Sequence, residues 1–154
     1  MTSITKKKKL LAIASGGGHW KQLMRLNPLF DEESTLYITT IAGLSEQSGV
    51  VNSKVVNDFS RTEKIALIKG VINIGFIVFK YKPDVVITTG AAPGLIAIII
   101  GRLVGSRTLW IDSIANGDEL SMSGRMAKGI AHQTISQWSN VALKDGVEYW
   151  GKLL

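Results

Sequence analysis

The fold is decided by residues 9–23, which read KLLAIASGGGHWKQL. The apolar run 10–14 has the pattern of a buried parallel strand, and glycines follow it closely. A helix over residues 19–30, stopping near Asn27-Pro28, continues the pattern. We therefore predict a strand, a glycine loop and a helix. Such a loop exposes backbone N–H groups at the positive end of a helix dipole, where a phosphate or diphosphate binds well.

The rest of the chain alternates apolar runs with helical patterns, which predicts a parallel sheet covered by helices on both faces. Strands are predicted over residues 36–41, 54–57, 85–89, 108–112 and 134–137. Helices are predicted over residues 61–82, 93–104 and 122–130, with Thr62 as a start and Pro83 as a stop for the first of them. The fold class is therefore α/β, a doubly wound sheet, in a single domain of 154 residues.

The composition limits the metal sites and the charged ligands that the chain can bind. The chain has no cysteine and two histidines, too few for a thiolate zinc site or a histidine metal cluster, so we expect no metal and no cofactor. The net charge of +6 equals the six bases among residues 1–30, which contain no acid; the other 12 bases balance 12 acids. Such a local patch favours an anionic membrane surface or a phosphorylated ligand, and we expect no nucleic acid.

The apolar segments bear on membrane association. The run after the lysine cluster is too short for a signal peptide, and none reaches the ~18–20 residues of a spanning helix. We therefore expect a soluble or peripheral protein on the cytoplasmic side. The helix predicted over 61–82 is apolar nearly all round, which is typical of either a core helix or a membrane-contacting one. The predicted membrane contacts are Lys6, Lys7, Lys8, Lys9, Lys69, Phe76, Phe79 and Lys80.

Ligands of doubly wound sheets gather at the carboxyl ends of the strands, and this selects three loops, over residues 15–19, 90–94 and 113–125. His19, in the first loop, is our candidate base or hydrogen-bond donor; the alternative is a solvated histidine in a tight turn. Gly90 either faces a ligand or lets strand and helix pack closely. One of the two loop serines is expected to cap the next helix, and Arg125 pairs with either phosphate or Asp112. The candidate phosphate-binding residues are Ser15, Gly16, Gly17, Gly18, Lys21, Gly90, Ser121, Ser123, Gly124 and Arg125.

Two common phosphate loops fit poorly. A Walker A loop needs Gly-Lys-Ser/Thr at its end, whereas Gly18 is followed by His19-Trp20. The dinucleotide fingerprint needs a third glycine where Lys21 and Gln22 stand, and an acid at the end of the second strand, which has none. NAD binding is therefore disfavoured, although a small nucleotide- or NAD-binding enzyme stays open as an alternative.

Several motifs together resemble one family. Residues 15–23 resemble its S-G-G-H-x-x-[QE]-L opening, and residues 83–91 its P-D-x-[IV]-[IV]-[ST]-T-G-A segment. Residues 112–125 resemble its E-S-x-[AT]-R…L-S-x-[TS]-G-[KR] segment, with Asp112 in place of the glutamate and Asn116 in place of the arginine. Gln137-Trp138 and residues 149–151 resemble its Q-W…Y-x-G ending. The family comprises the acceptor-side, membrane-associating subunits of split UDP-sugar glycosyltransferases, including PssD-like polysaccharide proteins and the dolichol-pathway N-acetylglucosaminyltransferase anchor subunit.

The resemblance implies a Rossmann-like domain similar to the N-terminal half of a GT-B glycosyltransferase. It implies a separate donor-binding subunit that holds the UDP-sugar, and a glycine-histidine loop facing a polyprenyl-diphosphate-linked saccharide. The expected activity is inverting sugar transfer in bacterial polysaccharide biosynthesis, on the inner face of the plasma membrane, with the chain inactive alone. The alternative within this family is a non-catalytic recruiter of the donor-binding subunit.

Overall fold

The computed structural model describes residues 6–59 and 63–154. Within these ranges the chain forms a seven-stranded sheet in which every pair of neighbouring strands is parallel. The strands are β1 (Leu10–Ile13), β2 (Thr35–Thr39), β3 (Ser53–Val55), β4 (Val85–Thr88), β5 (Arg107–Ile111), β6 (Gln133–Ser136) and β7 (Glu148–Tyr149). The helices are α1 (Gly18–Leu26), α2 (Leu44–Gln47), α3 (Lys64–Tyr81), α4 (Ala91–Leu103), α5 (Met122–Lys128) and α6 (Ser139–Asp145).

The strand order is β3-β2-β1-β4-β5-β6-β7, so the sheet grows outward in both directions from its centre. β1 and β4 are neighbours there, with a register that runs from Leu10 opposite Val85 to Ile13 opposite Thr88. The helix α3 makes the crossover from β3, at one edge, to β4. This order confirms the predicted α/β doubly wound, Rossmann-like sheet.

The central strand alternates between two apolar layers. Leu11 and Ile13 lie in one cluster with side chains of α3, α4 and α5. Ala12 and Ala14 lie in a second cluster with Trp20 and side chains around α1. All four of these β1-segment residues are fully buried. A strand that is apolar at consecutive positions is therefore explained by burial on both faces of the sheet.

The predicted elements differ from the structure mainly at their ends. α1 ends at Leu26 and a 3₁₀ turn follows at Asn27–Leu29, which agrees with the predicted stop near Asn27-Pro28, because Pro28 cannot supply a helical N–H. α4 begins at Ala91, two residues before Pro93, which sits in the first turn where its missing N–H breaks no helical bond. Pro83 follows the left-handed Lys82 that ends α3, as predicted. The suggested start at Thr62 lies outside the described residues.

Three short elements were not predicted. α2 and α6 have four and seven residues, too few for a helical apolar period to show in the sequence. β7 has two exposed residues and pairs with β6 along one side. α2 follows a left-handed Gly43, and Gly146, also left-handed, ends α6. These glycines were the sequence signal available for both helices.

The apolar helix α3 has two faces that differ in burial. One face is buried, through Gly70, Ile74, Gly75, Ile77 and Val78. The opposite face is exposed along the whole helix. Large apolar side chains on it follow a three- and four-residue spacing: Ile65, Ile68, Ile72, Phe76 and Phe79. We call these five residues the apolar stripe.

Candidate functional site

The site lies where the sheet reverses its order of strands. Beyond the carboxyl end of β1 the chain turns toward β2, and beyond that of β4 it turns toward β5. The two loops therefore diverge at the starts of α1 and α4, and we call the region between these two helix starts the crevice. Ligands of open α/β sheets bind at such a switch point. The glycine loop and the Gly90 loop are the two walls of this crevice.

The three glycines of the first loop differ in backbone conformation and in the space around them. A side chain on Gly16 would place its Cβ 2.1 Å from Ile41 Cδ1, so a larger residue here requires the exposed Ile41 side chain to move. Gly17 adopts φ of 75°, which favours glycine, and no side chain caps the helix that it precedes. At Gly18 a Cβ would meet nothing within 4 Å. Gly17 and Gly18 thus leave open space in front of the uncapped N–H groups of α1.

His19 is held by two hydrogen bonds to one residue of the opposite loop. Its Nδ1 lies 2.9 Å from the carbonyl oxygen of Thr89, and Thr89 Oγ1 donates to the His19 carbonyl at 2.7 Å. A carbonyl only accepts, so Nδ1 carries the proton when the imidazole is neutral. Nε2 is then left as the acceptor. The half-buried ring is therefore oriented as a base is oriented in many enzymes, with one nitrogen anchored and the other able to take a proton.

Gly90 provides the surface on which the His19 ring rests. It has φ of 131°, and a Cβ there would lie 2.7 Å from both Cε1 and Nδ1 of His19. Its N–H donates to Thr88 Oγ1 at 3.1 Å. At Gly94 a Cβ would lie 2.1 Å from the same Thr88 oxygen. Close packing of the strand against the helix therefore explains Gly94. Gly90 also lies in a tightly packed place, but its neighbour there is the ring of His19, the candidate base.

The third loop is organised around a buried carboxylate. Asp112 is 1% exposed and accepts four hydrogen bonds, two on each oxygen. Oδ1 accepts from Trp110 Nε1 at 3.0 Å and from Ser121 Oγ at 2.6 Å. Oδ2 accepts from Asn116 Nδ2 at 3.0 Å and from the Ser121 N–H at 2.9 Å. Asp112 and Asn116, the two departures from the family motif, are therefore partners of each other.

Ser121, Gly124 and Arg125 have structural partners in this loop. Ser121 Oγ caps α5 by accepting from the Gly124 N–H at 2.8 Å, as one loop serine was expected to do. A Cβ on Gly124 would lie 2.4 Å from Asp112 Oδ1. Arg125 Nη1 donates to the Leu120 carbonyl at 2.9 Å and lies 3.4 Å from Glu119 Oε2, so its ion pair is with Glu119. Asp112, the pairing expected as the alternative to phosphate, is not its recorded partner.

The remaining candidates differ in exposure. Ser15 is buried at the end of β1, and Ser123 is buried in α5. Lys21 is exposed on α1. Lys21 therefore faces solvent one turn into the helix that begins at the crevice.

A pair of buried glutamines, for which the sequence predicted no role, connects the first loop with the segments that follow β5 and β6. Gln22 Nε2 donates to the Gly18 carbonyl at 3.2 Å and to Ser113 Oγ at 3.1 Å. Gln137 Nε2 donates to Gln22 Oε1 at 2.5 Å and to the Asp112 carbonyl at 3.0 Å. Both glutamines stand in the quoted motifs. Their side-chain amides fix the start of α1 against the ends of β5 and β6.

The predicted membrane contacts form two groups. Lys6, Lys7, Lys8 and Lys9 precede β1 and so lie at the amino-terminal end of the parallel strands, opposite the crevice. Lys7 forms ion pairs with Asp31 at 2.9 Å and Glu33 at 3.0 Å, and hydrogen bonding to these carboxylates raises the pKa of its ammonium. Along residues 6–59 and 63–154, no helix combines the length and apolarity needed to cross a membrane.

The second group lies on α3. Phe76 and Phe79 belong to the apolar stripe, and both are exposed. Lys69 and Lys80 are exposed on the same helix. Lys80 Nζ lies 5.9 Å from the centre of the Phe76 ring. This helix therefore combines an exposed apolar row with neighbouring cations.

The architecture is one Rossmann-like half of the kind found twice in GT-B glycosyltransferases. MurG from Acinetobacter baumannii superposes with a TM-score of 0.72 at 12% identity, over 95% of this chain and 45% of that one. A UDP-N-acetylglucosamine 2-epimerase from Rickettsia bellii superposes with a TM-score of 0.68 at 12% identity, over 92% and 42% of the respective chains. The chain thus spans less than half the length of these solved structures.

Sequence comparison gives a more specific similarity than the fold does. The chain is 25% identical to the UDP-N-acetylglucosamine transferase subunit ALG14 of Candida albicans, over an alignment of 184 residues that covers 99% of this chain and 84% of that protein. No protein-family model matches the sequence. The expected resemblance to a subunit of a UDP-sugar transferase is confirmed by this similarity, and the expected resemblance to half of a GT-B enzyme is confirmed by the fold.

Proposed function

We propose that this protein is the acceptor-binding, membrane-associating subunit of a two-component inverting glycosyltransferase. The complex transfers a sugar from a UDP donor to a polyprenyl-diphosphate-linked saccharide in bacterial polysaccharide biosynthesis. The observation that carries the proposal is the anchored His19 in the crevice between α1 and α4, with its Nε2 left as an acceptor. The similarity to a transferase subunit supports the same conclusion.

A separate subunit supplies the donor side. The chain corresponds in length to less than half of the MurG chain that it superposes on, and its sequence relative is named as a subunit. The description of the relative as a subunit supports a second chain that binds the UDP-sugar across the crevice. We propose that the chain alone is inactive, because its candidate base then faces no donor.

The proposed chemistry is a direct displacement at the anomeric carbon. The acceptor hydroxyl oxygen forms a bond to that carbon as the bond to the UDP oxygen breaks, and UDP leaves with the electron pair. His19 Nε2 takes the hydroxyl proton, while Thr89 holds Nδ1 and keeps the ring in place. A positioned base of this kind contributes about 10²- to 10⁴-fold to the rate.

The acceptor diphosphate is proposed to lie against the start of α1. Gly17 and Gly18 leave room there for anionic oxygens to approach the helix N–H groups. Ser15, Gly16 and Gly90 complete the walls, and Lys21 adds a cation at the opening. The other candidates, whose recorded partners are within their own loop, contribute by shaping it: Ser121, Gly124 and Arg125. Ser123 is proposed as a further acceptor contact from α5.

Membrane association is proposed to use α3 and the amino-terminal lysines on the inner face of the plasma membrane. The apolar stripe would enter the interface, with Lys69 and Lys80 beside it. Lys6, Lys8 and Lys9 add positive charge, whereas the charge of Lys7 is already paired with Asp31 and Glu33.

The decisive experiment begins with a mild pull-down of the tagged protein from its native cells. We expect a stoichiometric partner with a UDP-binding half, and sugar transfer by the pair but by neither chain alone. The variant His19→Asn, which keeps an N–H donor for the Thr89 carbonyl but not the base, should lower transfer by about 100-fold or more without loss of the partner. Full activity of this variant would favour the non-catalytic recruiter. Recovery of the chain without any partner, together with NAD binding, would favour the alternative of a small NAD-binding enzyme that acts alone.

A further inference from the structure

A groove of about 590 Å³ lies between α3 and the edge of the sheet formed by β2 and β3, away from the catalytic crevice. Three lysines from three different elements line it: Lys9 before β1, Lys54 on β3 and Lys80 on α3. Its apolar surface includes Phe76 and Ile77. No aspartate or glutamate is among its lining residues within the described part of the chain.

The geometry explains why these cations converge. Lys54 stands opposite Ile38 in the β2–β3 register, and paired residues point to the same face of a sheet. Ile38 packs in the cluster that contains residues of α3, so Lys54 is on the side of the sheet that α3 covers. Lys9 Nζ lies 3.2 Å from the carbonyl of Tyr81, at the end of the same helix. The neighbouring Asp84 is bonded to the Lys9 backbone N–H, not to its ammonium.

The groove is continuous with the apolar stripe. Phe76 is 66% exposed and belongs to both, and the Lys80 ammonium lies near its ring. A ligand that fits this surface has an anionic group for the lysines and an apolar chain that continues along α3. A soluble anion would use the lysines and leave the phenylalanine uncovered.

We infer that this groove binds the headgroup phosphate of an anionic phospholipid, whose acyl chain lies against the apolar stripe. The inference rests on the proposed membrane association and specifies its lipid. Asn73, which also lines the groove, is positioned to hydrogen-bond the headgroup hydroxyls. Membrane binding would then orient the protein through a lipid site instead of through net charge alone.

The first test uses soluble short-chain lipids, so that it does not depend on membrane binding. Dihexanoyl phosphatidylglycerol, dihexanoyl phosphatidylcholine and inorganic phosphate are each titrated into the isotope-labelled protein below the micelle concentration. We expect saturable amide shifts around β3 and the second half of α3 with phosphatidylglycerol, and much weaker binding of the other two probes. Equal binding of phosphatidylcholine, or of phosphate, would overturn the inference.

Two matched variants separate the groove from total charge. Lys54→Gln with Lys80→Gln removes two groove cations, and Lys128→Gln with Lys144→Gln removes two exposed cations elsewhere. Since each basic residue near an anionic surface adds about 1 kcal/mol, the first pair should weaken phosphatidylglycerol binding about 30-fold and the second hardly at all. Equal weakening by both pairs would contradict a defined site.

Vesicle sedimentation distinguishes failure of the site from failure of the proposed membrane role. If the wild-type protein does not bind phosphatidylglycerol vesicles, the proposed membrane association is wrong, and the inference that rests on it is wrong as well. If the wild type binds but the groove variant binds equally, while Phe76→Ser with Phe79→Ser releases the protein, membrane association stands and the lipid site is refuted. Loss in both variants, with the control pair unaffected, supports the site.

Discussion

The Nδ1 atom of His19 lies 2.9 Å from the carbonyl oxygen of Thr89, and this contact joins the two halves of the sheet at its switch point. The residues are 70 positions apart in the chain. They meet because β1 and β4 are neighbouring parallel strands, so the segments that follow the two strands start side by side. The contact fixes the tautomer of the imidazole, and it therefore determines which nitrogen faces the crevice.

Replacing His19 should separate its chemical role from its anchoring role. His19→Asn keeps an N–H for the Thr89 carbonyl and removes the base, so transfer by the two-subunit complex should fall by about 100-fold or more. The measurement is kcat in a radiolabelled transfer assay. The control is His132→Gln, which should leave kcat unchanged. His132 precedes β6 and so lies at the amino-terminal end of the strands, away from the crevice. If His19→Asn lowered only the affinity for the acceptor, His19 would be a diphosphate ligand.

Gly90 should be sensitive to a single methyl group. Gly90→Ala introduces a Cβ 2.7 Å from the His19 ring at a φ of 131°, so the ring must move. A displacement of about 1 Å lowers rates by about 100-fold in well-positioned sites, and we expect a loss of that order.

The matched control for this substitution is Gly105→Ala. Gly105 also has a positive φ, 88°, but a Cβ there meets nothing within 4 Å. Backbone strain should cost Gly105→Ala roughly 1–2 kcal/mol of stability and Gly90→Ala about 1–3 kcal/mol, measured by urea unfolding. Only the Gly90 variant should lose transfer activity. Similar activities for the two variants would mean that the Gly90 contact does not position His19.

The fold could be predicted from sequence because β1 and the neighbouring strands are buried on both faces. An unbroken apolar run bounded by glycines, such as residues 10–14, is typical of a strand that helices cover on both sides. Short elements could not be predicted in this way. β7 consists of Glu148 and Tyr149, both exposed, and it is defined by its pairing with β6 and not by any pattern of its own.

The site was predictable in part. The position of a glycine loop after a strand selected His19 and the residues before it. The partner of His19 is a backbone carbonyl, at Thr89, and no side-chain pattern encodes such an acceptor. The Gln22–Gln137 contact joins residues 115 positions apart, and only the folded sheet brings them together. Long-range polar contacts between common residue types leave little local signal in a single sequence.

Asp112 should be a major determinant of stability. Asp112→Asn replaces one acceptor oxygen by an NH₂ group, which then faces two of the present donors in a buried site. We expect a loss of about 3 kcal/mol in the free energy of unfolding, measured with urea. Glu119→Gln, which removes the exposed partner of Arg125, should change stability by less than ~1 kcal/mol. Equal effects would show that the buried carboxylate does not organise the loop.

His132 should make stability depend on pH. Its Nδ1 accepts from the Thr108 N–H at 3.1 Å, and Nε2 contacts the Arg102 guanidinium. Desolvation, followed by the positive charges of Arg102 and Arg107, lowers the pKa of its imidazole below the usual 6.5. The unfolded chain therefore binds this proton more tightly than the folded one. The resulting stability is present above the unfolded pKa and is lost as the pH falls through the folded pKa.

The measurement for His132 is the urea midpoint of the wild type and of His132→Gln between pH 7.5 and pH 5. Glutamine keeps a polar side chain of similar length and does not titrate, so the carboxylates titrate in both proteins and cancel in the comparison. The wild type should lose more stability than the variant on acidification, and the difference between them should narrow below pH 6. Parallel curves would mean that the proton affinity of His132 is the same in the folded and unfolded chains, and that its contact with the Thr108 N–H does not require a neutral ring.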